Sequence, residues 1–343
     1  MSAALERDPA DGVIELLEDA DLLRPMAIRV AATLRLADHV ANGVSTADEL
    51  SARTGTHSGS LEKLMRFLIT LGVFKGTADG YSLTERGELL AWDAPAPIAR
   101  ALDLEGMMGR GELAIANLLH TVRTGETAYS NLFGKSYWED LNGDPLYLES
   151  LDPAGIKGSG FAWDAHLVTD SYDWSGIGHV VDVGGNAGSI LISLLQKHSH
   201  LQGTVVDLPN FVKIAQRQIE RAGLSDRCDA VVADMLTALP AGGDVYLLSA
   251  ILSDWDDGDA VLILRQCAKV AGSTGRVLVA EVDMDLDLPD PEHKAAADLR
   301  MAAAVTVPSR SVDAIKELAS RAGLRLTWEG PATRSRSILE FMN

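Results

Sequence analysis

Residues 180–188 read Val180-Val181-Asp182-Val183-Gly184-Gly185-Asn186-Ala187-Gly188, and this stretch decides the fold. The apolar run His179–Val183 predicts a buried parallel strand. Glycines follow at once, and Ile190-Leu191-Ile192-Ser193-Leu194-Leu195 then opens a helix. A strand, a glycine turn and a helix N-terminus form a site for a nucleotide-like cofactor. Glycine lets the backbone approach the ligand, and the helix end offers N–H groups with no partner in the helix. The plainer reading is a tight turn of any α/β domain. Against it stands a second strand, Thr204-Val205-Val206-Asp207, which ends in an acid placed to hydrogen-bond a ribose diol.

Further along, the same pattern recurs. Cys228–Asp234 is a strand ending in an acid, with Met235 next to it to lie against a purine. Asp244–Ser249 is another strand, and it leads into Ala250-Ile251-Leu252-Ser253-Asp254-Trp255-Asp256-Asp257. Arg276–Glu281 is a third, again ending in an acid. In a parallel sheet these strand ends face one crevice, so the glycine turn, Asp207, Asp234, Ser249 and Glu281 fall together by topology. From Tyr172 onward strands alternate with helices, which implies a mainly parallel sheet.

Before about residue 165 the texture is helical, giving two expected domains, 1–165 and 166–343. Met26, Val30 and Leu34 recur every four residues beside Ala27 and Ala31, the buried face of an amphipathic helix. Ser45-Thr46 before Asp48 and Glu49 marks a helix start. Ser60–Leu68 reads as a second helix, and Val73-Phe74-Lys75, Asp79-Gly80 and Tyr81-Ser82-Leu83 as a hairpin. Helices followed by a β-wing make a winged helix. Such a fold invites a DNA-binding reading, but residues 45–90 carry five basic side chains (Arg53, Lys63, Arg66, Lys75, Arg86) against six acidic ones. The candidate recognition helix suits protein packing better than phosphate contacts.

Composition sets the outer bounds. The chain has 343 residues, 47% of them hydrophobic, and a net charge of −19, which argues against a polyanionic partner. Two cysteines, Cys228 and Cys267, imply neither a disulfide framework nor a cysteine metal site. The N-terminus has no positive n-region or apolar core, and no stretch reads as membrane-spanning, so the expected location is the cytoplasm. Asp283, Asp285, Asp287 and Asp290 read as an acidic loop rather than a metal site.

The motifs as a set resemble those of class I S-adenosylmethionine-dependent O-methyltransferases of the plant caffeate and bacterial polyketide type. The matching stretches are Val181-Asp182-Val183-Gly184-Gly185-x-x-Gly188, Val205-Val206-Asp207-Leu208-Pro209, Val231-x-x-Asp234-Met235, Ser249–Asp257 and Asp298-Leu299-Arg300-Met301. Arg24–Leu34 and Ser136–Leu141 look similar to the naphthoate or orsellinate O-methyltransferases of antibiotic pathways. The resemblance implies a Rossmann-like C-terminal domain, a mostly parallel sheet with helices on both faces. It also implies an N-terminal winged-helix domain that dimerises and closes over the acceptor pocket. The cofactor would be S-adenosyl-L-methionine, with Gly184, Gly185 and Gly188 at its methionyl part, Asp207 at the ribose and Asp234 and Met235 at the adenine. Asp182, Leu208, Ser249 and Trp255 would complete the cofactor site. Trp138, His166 and Met301 would face a small aromatic acceptor, free or carrier-bound, while Arg110, in Gly109-Arg110-Gly111-Glu112, suits an acceptor carboxylate or, equally, a surface ion pair.

The departures from the family pattern fall on the chemistry. Relatives of this type read Leu-His-Asp-Trp, with the His as general base; this chain reads Leu252-Ser253-Asp254-Trp255. A serine hydroxyl does not take up a proton at neutral pH. Ser309 stands where a second flanking acid is usual, while Glu281, the other, remains. Asp152–Gly160 replaces a pocket-lining helix with proline and glycines. Ser253, Asp254 and Glu281 are the catalytic candidates. His120 and His166 read as structural first and as alternative bases second, and His198 and His200 as solvated. The expected function is phenolic O-methylation without a histidine base. The alternative is a cofactor-binding relative that hydroxylates, decarboxylates or cyclises, and a ligand-sensing DNA regulator is a third.

Overall fold

A computed structural model describes residues 9–94, 98–143, 165–282, 291–305, 310–333 and 336–343. The Asp152–Gly160 segment, Ser309 and the acidic run Asp283–Asp290 lie outside them. The chain packs as two units, one up to Gly109 and one from Arg110 onward. The helical stretch after Arg110 thus belongs by packing with the sheet. The break read near 165 marks instead where helices give way to strands.

The first unit is a winged helix. Its helices Leu36–Ala41, Ala47–Thr54 and Ser58–Thr70 precede an antiparallel hairpin of β1 (Phe74–Thr77) and β2 (Gly80–Leu83). The expected helix start is at Ala47–Thr54, where Thr46 and Glu49 close a capping box. In Ser58–Thr70 the inward side chains are Leu61, Met65 and Leu68, which join Leu36, Leu50 and Phe74 in this unit's core. Lys63 and Arg66 point outward next to exposed Glu62. On the helix Leu23–Thr33 the fully buried stripe is Ala27, Ala31 and Ala32, whereas Met26, Val30 and Leu34 are only half-buried. The small residues face inward because they let neighbouring helices approach closely. The helix Pro9–Asp19 leaves Val13, Ile14, Leu16 and Leu17 exposed at 55–70%.

The second unit is built on a seven-stranded sheet of order β5-β4-β3-β6-β7-β9-β8. Its parallel part comprises β3 (His179–Val183), β4 (Gln202–Asp207), β5 (Cys228–Val232), β6 (Val245–Ser249) and β7 (Arg276–Val282). β8 (Arg325–Glu329) and β9 (Arg336–Met342) add an antiparallel edge. Side chains alternate across the sheet as the two-residue period requires. Val180, Val205, Leu247 and Leu278 pack against the helices Ser189–Lys197 and Pro209–Arg221. Val181, Val183, Tyr246, Leu248 and Val279 pack against Asp257–Ala271 and Val312–Arg321. Both faces are covered, so the strands read as continuous apolar runs. The strand order reverses between β3 and β6, and the C-terminal ends there open the crevice where ligands bind in such sheets.

Candidate active site

The glycine turn after β3 is shaped by its neighbours. Gly184 has φ +70°, and a Cβ there would stand 2.5 Å from Ile251 Cδ1 and 3.2 Å from Met235 Cε. A Cβ on Gly185 would stand 2.6 Å from Asp182 Oδ2. Gly188, at φ +77°, is the N-cap of the helix Ser189–Lys197, whose first N–H groups face the turn. Asn186 also takes a left-handed conformation (φ +55°) and donates its N–H to Asp207 Oδ2 at 2.8 Å. Asp207 Oδ1 accepts from Leu208 N–H at 2.7 Å. The acid at the end of β4 therefore ties the turn to its own strand, and each oxygen keeps a further lone pair for a ligand.

Asp182 lies under the turn, 2% exposed, and its Oδ2 accepts no hydrogen bond from the described residues. Register pairs Asp182 with Val205, so Asp182 and Asp207 share one face of the sheet on adjacent strands. Burial first, and then the Asp207 charge, pushes the Asp182 carboxyl up to about 7. Burial raises Asp207 to about 6, against the pull of its backbone donors. A cradle that a Cβ would fill, with an unbonded buried acceptor beneath it, fits a ligand that approaches the backbone and carries a cationic group. S-adenosylmethionine is such a ligand. Met235 Cε lies 3.2 Å from where a Cβ on Gly184 would stand, so the Met235 side chain borders the glycine turn. Asp234 is exposed, with Oδ1 accepting from Leu236 N–H at 2.9 Å.

Facing this cradle is the turn after β6. Ala250, which is not a glycine, has φ +53°, a strain of order 1–3 kcal/mol that its surroundings must offset. The following residues Leu252–Asp254 form one 3-10 turn. Glu281, 1% exposed at the end of β7, accepts from the N–H groups of Ile251 (3.1 Å), Leu252 (2.8 Å) and Ser253 (3.3 Å) through Oε2. Hydrogen bonds to a charged acceptor are worth about 1.5–3 kcal/mol each. Together the bonds are of the size needed to offset several kcal/mol of desolvation. The carbonyl side of the turn is held by Arg310, 5% exposed. Its guanidinium donates to Leu252 O, to Trp255 O at 2.7 Å and to Asp257 Oδ1 at 2.8 Å. Ser249 Oγ accepts from the buried Arg336 at 2.7 Å.

Ser253 and Asp254 are half-buried on this turn, and Trp255 packs against the core below it. Burial, and secondly the Glu281 charge, holds the Asp254 carboxyl well above the usual carboxylate range. The Tyr137 hydroxyl is within electrostatic reach: burial and then the Asp254 charge push it up to about 12.

The four acceptor-side candidates are differently placed. Arg110 makes a part-buried ion pair with Asp140 (2.6 Å), bonds Tyr129 Oη at 3.3 Å and lies 3.9 Å from the centre of the Phe133 ring. Trp138, stacked edge-on against Tyr137, has a buried Nε1–H with no hydrogen bond to the described residues. His166 and Met301 are exposed. His120 reaches Glu126 at 3.5 Å, while His198 and His200 bond the carbonyls of Thr169 and Trp174. Arg310, Arg336, Asn186 and Tyr137 escaped sequence reading. The only hint was an arginine opening an apolar strand at 336 and another directly after Ser309.

Comparison with known proteins agrees with this geometry. Residues 115–325 match the O-methyltransferase domain and residues 19–93 the O-methyltransferase dimerisation domain. A 2,7-dihydroxy-5-methyl-1-naphthoate 7-O-methyltransferase of Streptomyces carzinostaticus is 44% identical over 89% of this chain and 90% of the relative. The aclacinomycin 10-hydroxylase RdmB of Streptomyces purpurascens is 38% identical over 97% of this chain and 92% of its own length. A crystal structure of an O-methyltransferase from neocarzinostatin biosynthesis holds S-adenosyl-L-homocysteine and 1,4-dihydroxy-2-naphthoic acid. It superposes with a TM-score of 0.85 at 42% identity, covering 95% of this chain and 98% of that one. The chain belongs to the O-methyltransferase family and is an S-adenosylmethionine-dependent O-methyltransferase with an N-terminal dimerisation domain.

Proposed function

We propose that the chain methylates a phenolic hydroxyl of a small aromatic acid of naphthoate size in secondary metabolism, without a histidine base. One observation carries this reading: Ile251, the first residue of the Ser253-bearing turn, abuts Gly184, so the acceptor side and the cofactor cradle adjoin. The naphthoate relative supplies the acceptor class.

The cofactor, when bound, supplies a methyl group already activated on a sulfonium. What remains for this chain is orientation and the phenol proton. Orientation alone is able to supply a large part of the acceleration. The Ser253 hydroxyl donates or accepts a hydrogen bond but does not take the proton at neutral pH. Asp254, next to Ser253 on the same turn, is a carboxylate able to take it when ionised, and burial and the Glu281 charge raise its carboxyl above the usual range. Glu281 acts through the turn, by accepting its N–H groups. Incubation with S-adenosylmethionine and 1,4-dihydroxy-2-naphthoic acid or monohydroxynaphthoic acids should add one methyl group by mass. No methyl gain on any of these acids overturns the acceptor class.

A second reading is supported by the relative named as a 10-hydroxylase and by Ser253 in the base position. It expects tight cofactor binding with no methylated phenol. The same incubations, extended to an aclacinomycin-type acid in air with an added thiol reductant, separate the two by gain of oxygen against gain of methyl, dioxygen supplying the oxygen atom and the reductant the electrons that take the other atom to water.

The chain works as a homodimer through its first unit, a reading supported by the dimerisation-domain match and the exposed Val13, Ile14, Leu16 and Leu17. Light scattering of the full-length protein should give twice the chain mass, and a monodisperse monomer contradicts it.

A further inference from the structure

We propose that Arg310 is a positioning residue for methyl transfer, and that with Glu281 it grips the turn Ile251–Trp255 from both sides so that Ser253 and Asp254 keep their places. The inference rests on reading that turn as the acceptor-side wall.

The turn follows directly on a strained residue, Ala250, and contains one short 3-10 segment, with no regular ladder of its own. Its polar backbone is satisfied mainly from outside. Glu281 takes the N–H groups of Ile251, Leu252 and Ser253, and Arg310 takes the carbonyls of Leu252 and Trp255. Leu252 is bonded on both sides, so the two grips meet at one residue. Arg310 is in turn fixed by Asp257 Oδ1, which accepts from both Nε (3.1 Å) and Nη2 (2.8 Å). Only a planar fork reaches two carbonyls and a carboxylate at once, so lysine is not equivalent here. Without Arg310 the buried carbonyl of Leu252 loses its charged donor and keeps only the 3.3 Å bond from Trp255 N–H, the Trp255 carbonyl loses the Arg310 bond, and the turn gains freedom to slide on the Glu281 anchor. A reaction driven by orientation is sensitive to such a slide: a misplacement of about 1 Å costs on the order of a hundredfold.

Backbone amide exchange tests the grip without any acceptor or cofactor. In Arg310→Met, exchange at residues 251–253 should rise by about tenfold or more while β7 amides keep their wild-type protection. Those amides bond Glu281, not Arg310, so unchanged protection in a folded variant overturns the proposal. Asp257→Asn and Arg310→Lys loosen the same fork more gently and carry the test if Arg310→Met does not fold. Both should show intermediate exchange. With 1,4-dihydroxy-2-naphthoic acid as acceptor, kcat of Arg310→Met should fall by about a hundredfold. Its affinity for S-adenosylhomocysteine by calorimetry should change far less. An equal loss in both, or full kcat, overturns the positioning role. If the wild type methylates no acid tested, the acceptor reading fails, and amide exchange alone decides the grip.

Discussion

Two turns meet at this site, and they are held by opposite means. The glycine turn 184–188 is shaped by what is missing: Cβ atoms at Gly184 and Gly185 would strike Ile251 Cδ1 and the Asp182 carboxylate. The turn 250–255 is shaped by what is brought to it. Glu281 arrives from β7 and Arg310 from just before the helix Val312–Arg321. The first turn is thus set by small residues at its own positions and the second by charged side chains from residues about 30 to 60 positions away. Local specification by glycine leaves a backbone surface open for a ligand. Remote specification by charged side chains leaves the turn's own side chains, Ser253 and Asp254, free for chemistry.

The largest effect is expected where absence does the shaping. Gly184→Val adds a branched side chain at φ +70° against Ile251, and cofactor binding should become undetectable by calorimetry. Binding within tenfold of wild type, about 1.4 kcal/mol, would mean that the cradle is not the cofactor site. Next is Asp254→Asn. If Asp254 takes the phenol proton, kcat should drop by about 10²–10⁴-fold with cofactor affinity kept. The pH–rate profile should then lose its acidic limb. Ser253→Ala should cost much less than that, because the hydroxyl orients at most. A thousandfold fall there would assign Ser253 a direct chemical role and reverse the order of the two residues.

The smallest effect concerns stability. Asp182 is raised in the folded chain to about 7, from an unfolded value of about 3.9. Between those values the folded state binds more protons than the unfolded one, so this group lowers stability progressively as pH rises from about 4 to about 7. Asp207, on the same face, is shifted in the same direction. The unliganded Asp182→Asn variant should therefore melt a few degrees higher than wild type at pH 8 and close to it at pH 4. An equal shift at both pH values would show that the carboxyl's ionisation is not the cause. Cofactor affinity should fall in the same variant, since the open acceptor under the turn has lost its charge.

Much of this was legible because it is periodic or steric. The strand His179–Val183 has the bounds its apolar run predicts, and the acids Asp207 and Glu281 close their strands or stand one residue from the end. The helix start read from Ser45-Thr46 before Asp48 and Glu49 is where the helix Ala47–Thr54 begins, with Thr46 as its N-cap. The half-buried Met26, Val30 and Leu34 mark a limit: spacing gives the face of a helix, but residue size and the neighbouring helix decide which edge of it goes deepest. The same limit governs Arg110, whose type allows a ligand carboxylate or an ion pair and whose surroundings supply Asp140.

The sequence by itself determined the alternation of strands and helices, the glycine turn and the acids at the crevice, since each depends on residues within a few positions of one another. It also determined that position 253 lacks a histidine. Only the tertiary structure decided what those acids do. Asp207 and Glu281 both read as ligand-facing carboxylates in one dimension, and both turn out to accept backbone N–H groups of neighbouring turns. Asp182, expected at the cofactor site, is a carboxylate with an oxygen that accepts no hydrogen bond from the described residues. The reason is physical: a charge buried in a protein must find donors, and here all of them but Leu208 N–H belong to segments far away in the chain.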